Sequence, residues 1–382
     1  MSNISIKKQG NTVLVGAFVP VGSRDEDTRV KGISHFVEHM LFKGTKTRTK
    51  DQLKREIEQY GAYFNAYTSE EVTFYYIQIA SKYADVARKV IDDMVHNASF
   101  PKEEVDSERS VILQELQMYE DNPQSHIFEV AQRAIFQPES GLHLPIIGTR
   151  ETLANIDRDK LAAYYARMYK NPISIEVGDV EQAEAQMLLP KKFALETANP
   201  DRSDLLVPRK GVNQANMTLT GLLHFDDPIR AYHDLDLYSG VMNGFTGRLF
   251  DTVREKNGLV YHVGFYYQIF SCGTVLYHIY AALEPSKIEK AKKLIIEELT
   301  RPVSTEDIEF AKNKILGQYN LSSDDKSEVS RVIINSTVNH LNYAEILSNY
   351  EKHIEVSAKN LNQFIASAQF DKSKLVAVIP EK

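Results

Sequence analysis

Apolar and polar positions change period along this chain in a regular way. Asn11 to Gly22 (NTVLVGAFVPVG) is rich in Val and Phe and closes on Gly22-Ser23-Arg24-Asp25, which predicts a strand. A short helix follows, opened by Gly32 and ended by Gly44, and Thr49-Lys50-Asp51-Gln52 has the T-x-x-Q form of a capping box starting a second helix that stops at Gly61. The extended runs Gly61–Thr68 and Val72–Ala80, split by Ser69-Glu70-Glu71, predict a hairpin. Helical spacing then recurs over 83–97, 101–119, 124–136 and 150–169, before a strand at 173–178. The second half repeats the theme: a strand at 214–223, helices at 232–242 and 248–255, a hairpin from 261–270 and 273–283, helices at 285–300 and 305–320, a largely helical stretch over 325–369 and a strand at 375–379.

Hairpins interleaved with helices in both halves read as α+β: two similar domains, each a mostly antiparallel sheet with helices packed on it. Leu188–Pro208 holds three prolines and no clear period. It places the boundaries at 1–190 for the first domain, 191–210 for a linker and 211–382 for the second domain. The length of 382 residues fits roughly two or three domains.

Composition narrows the partners. A net charge of −7 argues against nucleic acid and anionic membrane surfaces. The single cysteine, Cys272, excludes an internal disulfide framework and fits a reducing compartment. No apolar run reaches the ~18 residues of a membrane span, and the first residues lack a signal-peptide pattern. The expectation is a cytoplasmic protein with no membrane partner.

The densest chemistry lies in His35-Phe36-Val37-Glu38-His39. On a helix His35 and His39 fall roughly 40° apart and Glu38 roughly 60° to the other side of His35, so all three share one face. This is the H-x-x-E-H order of inverzincins. Two imidazoles at i, i+4 can converge on zinc, and a catalytic site needs a third protein ligand and an open position for water. Glu38 then serves as general base. Chance occurrence of so short a motif is the bland alternative. The third ligand is sought on the helix after Pro101. Glu103, Glu104 and Glu120 read as a solvated face, whereas Glu108 and Glu115 sit among apolar residues, seven positions apart on one face. An unpaired carboxylate there is costly. Spacing does not choose between them.

The run from His35 through Met40-Leu41-Phe42-Lys43-Gly44-Thr45, with Gly22-Ser23-Arg24-Asp25-Glu26 upstream, resembles the pitrilysin and mitochondrial processing peptidase family. That family takes its third ligand about 75 residues on, and 75 residues separate His39 from Glu115. The resemblance therefore implies His35, His39 and Glu115 as zinc ligands, one Zn2+ per chain, with Glu108 a second acid beside the site that orients a ligand. Asn65-Ala66-Tyr67-Thr68 is similar to the family's substrate strand, which implies Asn65 and Ala66 as peptide-binding; from the sequence alone Asn65 is a turn or bulge residue. Gly247-Arg248-Leu249-Phe250 and Arg254-Glu255-Lys256-Asn257-Gly258-Leu259-Val260-Tyr261 look like the carboxy-domain signature, which implies that Arg254 and Tyr261 reach the scissile carbonyl. From spacing alone Arg254 is a surface charge and Tyr261 a strand-core residue. The family forms a clamshell from four such domains, so this two-domain chain is expected to pair as a homodimer. The function implied is a zinc-dependent endopeptidase acting on peptides or unfolded segments in an enclosed chamber. The alternative is a non-catalytic scaffold or assembly subunit of the same fold.

Overall fold

The computed structural model describes residues 2–183, 193–348, 350 and 355–381. Among the described residues ten strands form two five-stranded sheets: β1 (Ser2–Lys7), β2 (Thr12–Val19), β3 (Tyr63–Thr68), β4 (Thr73–Ala80) and β5 (Ile173–Gly178) in the first, β6 (Leu205–Arg209), β7 (Ala215–His224), β8 (Val260–Ile269), β9 (Thr274–Leu283) and β10 (Lys374–Pro380) in the second. The helices, in chain order, are α1 (Ile33–Leu41), α2 (Lys50–Glu58), α3 (Ala84–Asn97), α4 (Lys102–Asp121), α5 (Pro123–Ile135), α6 (Arg150–Ala154), α7 (Arg158–Met168), α8 (Pro228–Met242), α9 (Ile288–Thr300), α10 (Thr305–Ser322) and α11 (Lys326–Val338), followed by α12 (Tyr343–Ser348) and α13 (Ala358–Ala368). This is the expected α+β class, two similar domains built on mixed, mostly antiparallel sheets.

The first sheet has the order β1-β5-β2-β4-β3, with β1 parallel to β5 and the other pairs antiparallel. Val13, Val15, Ala17 and Val19 of β2 and Tyr75, Ile77 and Ile79 of β4 point into one core with Phe36, Val37, Met40 and Leu41 of α1, Val90 and Met94 of α3, and Ile112 and Leu116 of α4. Each Val, Leu, Ile, Phe or Met side chain among them contributes roughly 1.5–3 kcal/mol of hydrophobic stabilisation when fully buried. The opposite face of β2 is buried as well, because α11 packs across β2 and β5. Burial on both faces explains why β2 reads as a near-continuous apolar run rather than a clean alternation.

The second sheet has the order β6-β10-β7-β9-β8, again with one parallel pair, β6 with β10. Its extra cover is α5, which packs on β7 and β10 through Ile127 and Ala131 against Val376 and Val378. The chain thus divides into units that are discontinuous in sequence. One comprises Met1–Met118, Glu139–Lys191 and Ser323–Val338; the other comprises Tyr119–Pro138, Lys192–Ser322 and Asn339–Lys382.

This division differs from the expected cuts at 190 and 211, since α5 joins the second unit and α11 the first. Apolar periodicity marks α5 and α11 as amphipathic but carries no information about which sheet they cover. The proposed linker, 191–210, also contains a strand: Leu205–Arg209 pairs with β10, while residues 191 and 192 lie outside the described residues. Pro208 fits there because β6 is an edge strand. Further differences are the strand β1 at the amino terminus and a break in the expected helix 150–169, where Asp157 caps α7 by accepting the Lys160 N–H. The expected helix at 248–255 is a π-helical turn over Phe250–Lys256. Among the described residues no helix is long and apolar enough to cross a membrane.

Candidate metal centre

The helix α1 starts where Gly32 takes φ +95°. A side chain there would collide with the Ile147 carbonyl, 2.5 Å from a Cβ, so glycine is required on both conformational and steric grounds. Orphan donors at the helix start are met by a buried carboxylate: Glu26 accepts the Gly32 N–H at 2.8 Å and the Ser34 N–H at 2.7 Å. Lys31, fully buried, lies 3.9 Å from Glu26 and donates to the Gly141 carbonyl at 2.5 Å. On the inner face Ser34 bonds the Tyr164 hydroxyl at 2.7 Å, and Phe36, Val37, Met40 and Leu41 are buried. With those four pinned in the core, rotation about the helix axis is fixed, and His35 and His39 must project from the remaining arc.

The helix α4 supplies the acids. Val105, Ile112 and Leu116 bury one stripe, and Glu108 is buried on that same stripe. Arg109 donates to the carbonyls of Leu153 (2.7 Å) and Ile156 (2.5 Å) and lies over the Phe36 ring at 5.6 Å, which ties α4 to α1 and to the α6–α7 turn.

These elements bring His35, His39 and Glu115 together. Glu115 Oε2 lies 3.5 Å from His39 Nε2 and 3.8 Å from His35 Nε2. One donor atom from each residue falls within 4.8 Å of the other two, the single such group of three among the described residues. Ligands about 2.0–2.1 Å from a tetrahedral zinc lie about 3.3 Å apart, so the donor set and its spacing fit that ion and leave a fourth corner free. Glu108 Oε1 receives His39 Nδ1 at 2.8 Å, and Lys43 Nζ is ion-paired with the other Glu108 oxygen. Glu38 shares the helix face and accepts a 2.6 Å hydrogen bond from Thr68 at the end of β3.

Burial sets the electrostatics. It pushes His35 down to about 4, helped by His39, and Glu38 up to about 7, against the Thr68 hydrogen bond. For His39 burial acts downward but is outweighed by hydrogen bonds to Glu108 and Glu115, which raise it to about 9. Glu108 is likewise opposed by burial, yet His39 and Lys43 hold it below the usual carboxylate range. His35 is therefore a neutral imidazole ready to donate a lone pair, while a cation in the site would replace the proton on His39.

The remaining predicted residues sit elsewhere. Asn65 and Ala66 lie on β3, the edge strand of the first sheet. Phe64 packs against Phe42 at 4.6 Å and Thr68 reaches Glu38, so alternation turns the Asn65 side chain to the other face, where it bonds the Tyr63 hydroxyl at 2.8 Å. Its carbonyl oxygen accepts the Ala66 N–H at 2.9 Å. Arg254 and Tyr261 belong to the second unit. Tyr261 is 82% exposed, which corrects the reading from spacing as a strand-core residue: a register shift between Val260 and Val263 turns it out of the sheet. The Arg254 guanidinium lies 5.1 Å from its ring and 4.5 Å from that of Phe250. Sequence reasoning gave no role to Glu26, to Lys43, or to the Thr68 contact with Glu38. Glu26, Lys43 and Thr68 all lie within the segments that carry the family resemblance, but nothing in their spacing names their partners.

Comparison with known proteins gives the family. Residues 3–150 match the family model described as insulinase (peptidase family M16), and residues 155–315 match the one described as peptidase M16 inactive domain. An uncharacterized zinc protease of Rickettsia bellii is 32% identical over 331 residues, covering 82% of this chain and 79% of the relative. The chain belongs to peptidase family M16. Within that family, the uncharacterized zinc protease YmxG of Bacillus subtilis is 30% identical over 337 residues, 84% of this chain and 81% of the relative. Among solved structures, a protease from Helicobacter pylori superposes with a TM-score of 0.86 at 18% identity, covering 100% of this chain and 96% of that one. A peptidase M16 inactive domain from Pseudomonas fluorescens superposes at 0.81 with 16% identity over 100% and 96% of the two chains. The M16 fold, with both of its domains, is thus present across the whole length of this chain.

Proposed function

We propose that this M16 protein is a zinc-dependent endopeptidase that cuts peptides or unfolded segments inside an enclosed chamber. One observation carries the reading: three donors of zinc-ligand type, His35 Nε2, His39 Nε2 and Glu115 Oε2, converge on the helix face that also presents the Glu38 carboxylate. The relatives' description as zinc proteases supports it. When bound to these three residues, one zinc per chain supplies a Lewis acid that polarises a carbonyl and lowers the pKa of water from 15.7 toward about 7.

The protein's own groups do the rest. Glu38 accepts the proton of the attacking water and returns it to the leaving amine. Thr68 holds Oε2 of Glu38, so Oε1 is the oxygen that handles that proton. A peptide adds to the edge strand β3 by backbone hydrogen bonds at Asn65 and Ala66. To do so it displaces the Asn65 side-chain oxygen from the Ala66 N–H. Arg254 and Tyr261 donate hydrogen bonds to the developing oxyanion. A chain with two such domains forms half of a clamshell, so the working species is a cytoplasmic homodimer in which one chain gives the metal and base and its partner gives Arg254 and Tyr261.

The test is to incubate the purified protein with a mixed peptide library, with and without chelator, and to read cut sites by mass spectrometry together with the native mass. Chelator-sensitive internal cleavage by a dimer is expected. Absence of bound zinc together with absence of chelator-sensitive cleavage would leave the non-catalytic scaffold as the better reading.

A further inference from the structure

Spacing along α4 leaves Glu108 and Glu115 as equal claimants for a metal, and the fold brings both to His39. We propose that Lys43 decides between them: its ammonium commits Glu108 to orienting His39 and keeps it out of the ligand set. The inference rests on the zinc site proposed above.

The two oxygens of Glu108 have separate partners. Oε1 receives His39 Nδ1 at 2.8 Å, and Oε2 is ion-paired with Lys43 Nζ. Held at both oxygens, the carboxylate cannot turn without breaking a charge-assisted bond. That fixes the His39 ring with Nε2 facing Glu115 Oε2, 3.5 Å away. Glu108 is 4% exposed, so its charge needs a local counter-cation. Lys43 provides one from just past the end of α1, where the chain turns at Gly44 with φ +125°. Without Lys43, the Glu108 carboxylate is left with His39 alone on a buried stripe, free to swing toward the same cation that Glu115 holds. Glu115 stays more open, its side chain 25% exposed, and lies beside both Nε2 atoms. Lys43 touches no reacting atom in this scheme; it is a positioning residue acting through Glu108.

Zinc affinity, measured by competition with a chromophoric chelator, separates this role from a general structural one. Lys43→Met should weaken zinc binding roughly 10–100-fold, the range for groups that orient a ligand, while Lys43→Arg stays within about threefold of the parent because the charge remains. In a Glu108→Gln background Lys43→Met should change affinity less than about twofold, because its target is gone. The cobalt-substituted Lys43→Met protein should show an altered visible spectrum as Glu108 enters the ligand set. Circular dichroism melts of the metal-free variants check folding. Zinc affinity of Lys43→Met within twofold of the parent, or effects of the two substitutions that simply multiply, overturn the proposal. Parent protein that binds zinc but cleaves nothing overturns the endopeptidase reading and leaves this one standing; parent protein that binds no zinc overturns both.

Discussion

The two sheets share one wiring, with β1, β5, β2, β4 and β3 of the first answered by β6, β10, β7, β9 and β8 of the second, and each unit borrows one helix, α11 or α5, from the other half of the sequence. The helices α4 and α10 occupy matching places after β4 and β9, and aligning buried Val105 with Ile308 also aligns buried Ile112 with Ile315. Under that alignment Glu108 meets buried Ala311 and Glu115 meets Gln318. The helix α8, which takes the place of α1 between β7 and β8, reads PIRAYHDLDLYSGVM and has no H-x-x-E-H. The burial pattern of the fold is kept in both units, and among the described residues the His35, His39 and Glu115 donor cluster stands on one. At the Glu108 position the second unit has the cheap solution, a methyl group in the core, whereas the first buries a carboxylate and needs His39 and Lys43 to satisfy it.

The largest effect that would sharpen this contrast is on catalysis. Glu38→Gln should retain zinc yet lower kcat/KM for a cleaved peptide about 10²–10⁴-fold, since the amide cannot take up the proton that the carboxylate accepts; activity at the parent level would falsify the base assignment. Next comes the metal itself. Giving the first unit the second unit's residue, Glu115→Gln, should weaken zinc binding by more than the roughly 10–100-fold of an orienting residue, measured by the same chelator competition. Gln318→Glu with Ala311→Glu should create no second zinc equivalent by elemental analysis, because α8 carries one histidine, His233, and not a pair four positions apart.

The shared fold makes a symmetric prediction. Ile112→Ala and Ile315→Ala should each cost about 2–5 kcal/mol by urea denaturation, because both fill equivalent core positions. A large cost in only one would break the equivalence of the units.

Acid should weaken the second unit through His278. Burial pushes this imidazole down to about 3, and its Nδ1 has no hydrogen-bond partner. Below the ordinary value of 6.5 the unfolded chain binds a proton that the folded state refuses. Stability from this group is therefore present above pH 6.5 and falls by roughly 1.4 kcal/mol per pH unit below it, down to about 3. His278→Gln should flatten that part of the pH dependence in denaturant titrations. The smallest effect is local: Ser304→Ala removes the hydroxyl that accepts the Asp307 N–H at the start of α10 and should cost about 1 kcal/mol.

Much of this was legible in the chain. The capping box at Thr49 and Gln52, both hairpins, and the convergence of His35 and His39 follow from local pattern, and the structure reproduces them. Pairing across distance was not. Leu205–Arg209 looks like linker until β10 is beside it, and Tyr261 looks like core until the bulge after Val260 turns it outward.

By itself the sequence determined the periods that make helices and strands, and the residue types able to hold a metal on one helical face, because both depend on neighbours within a few positions. Only the tertiary structure decided which sheet α5 and α11 cover, that Glu26 caps α1, and that Lys43 and Thr68 reach Glu108 and Glu38. Those outcomes depend on which side chains meet once two distant segments share a core, and no local period encodes that.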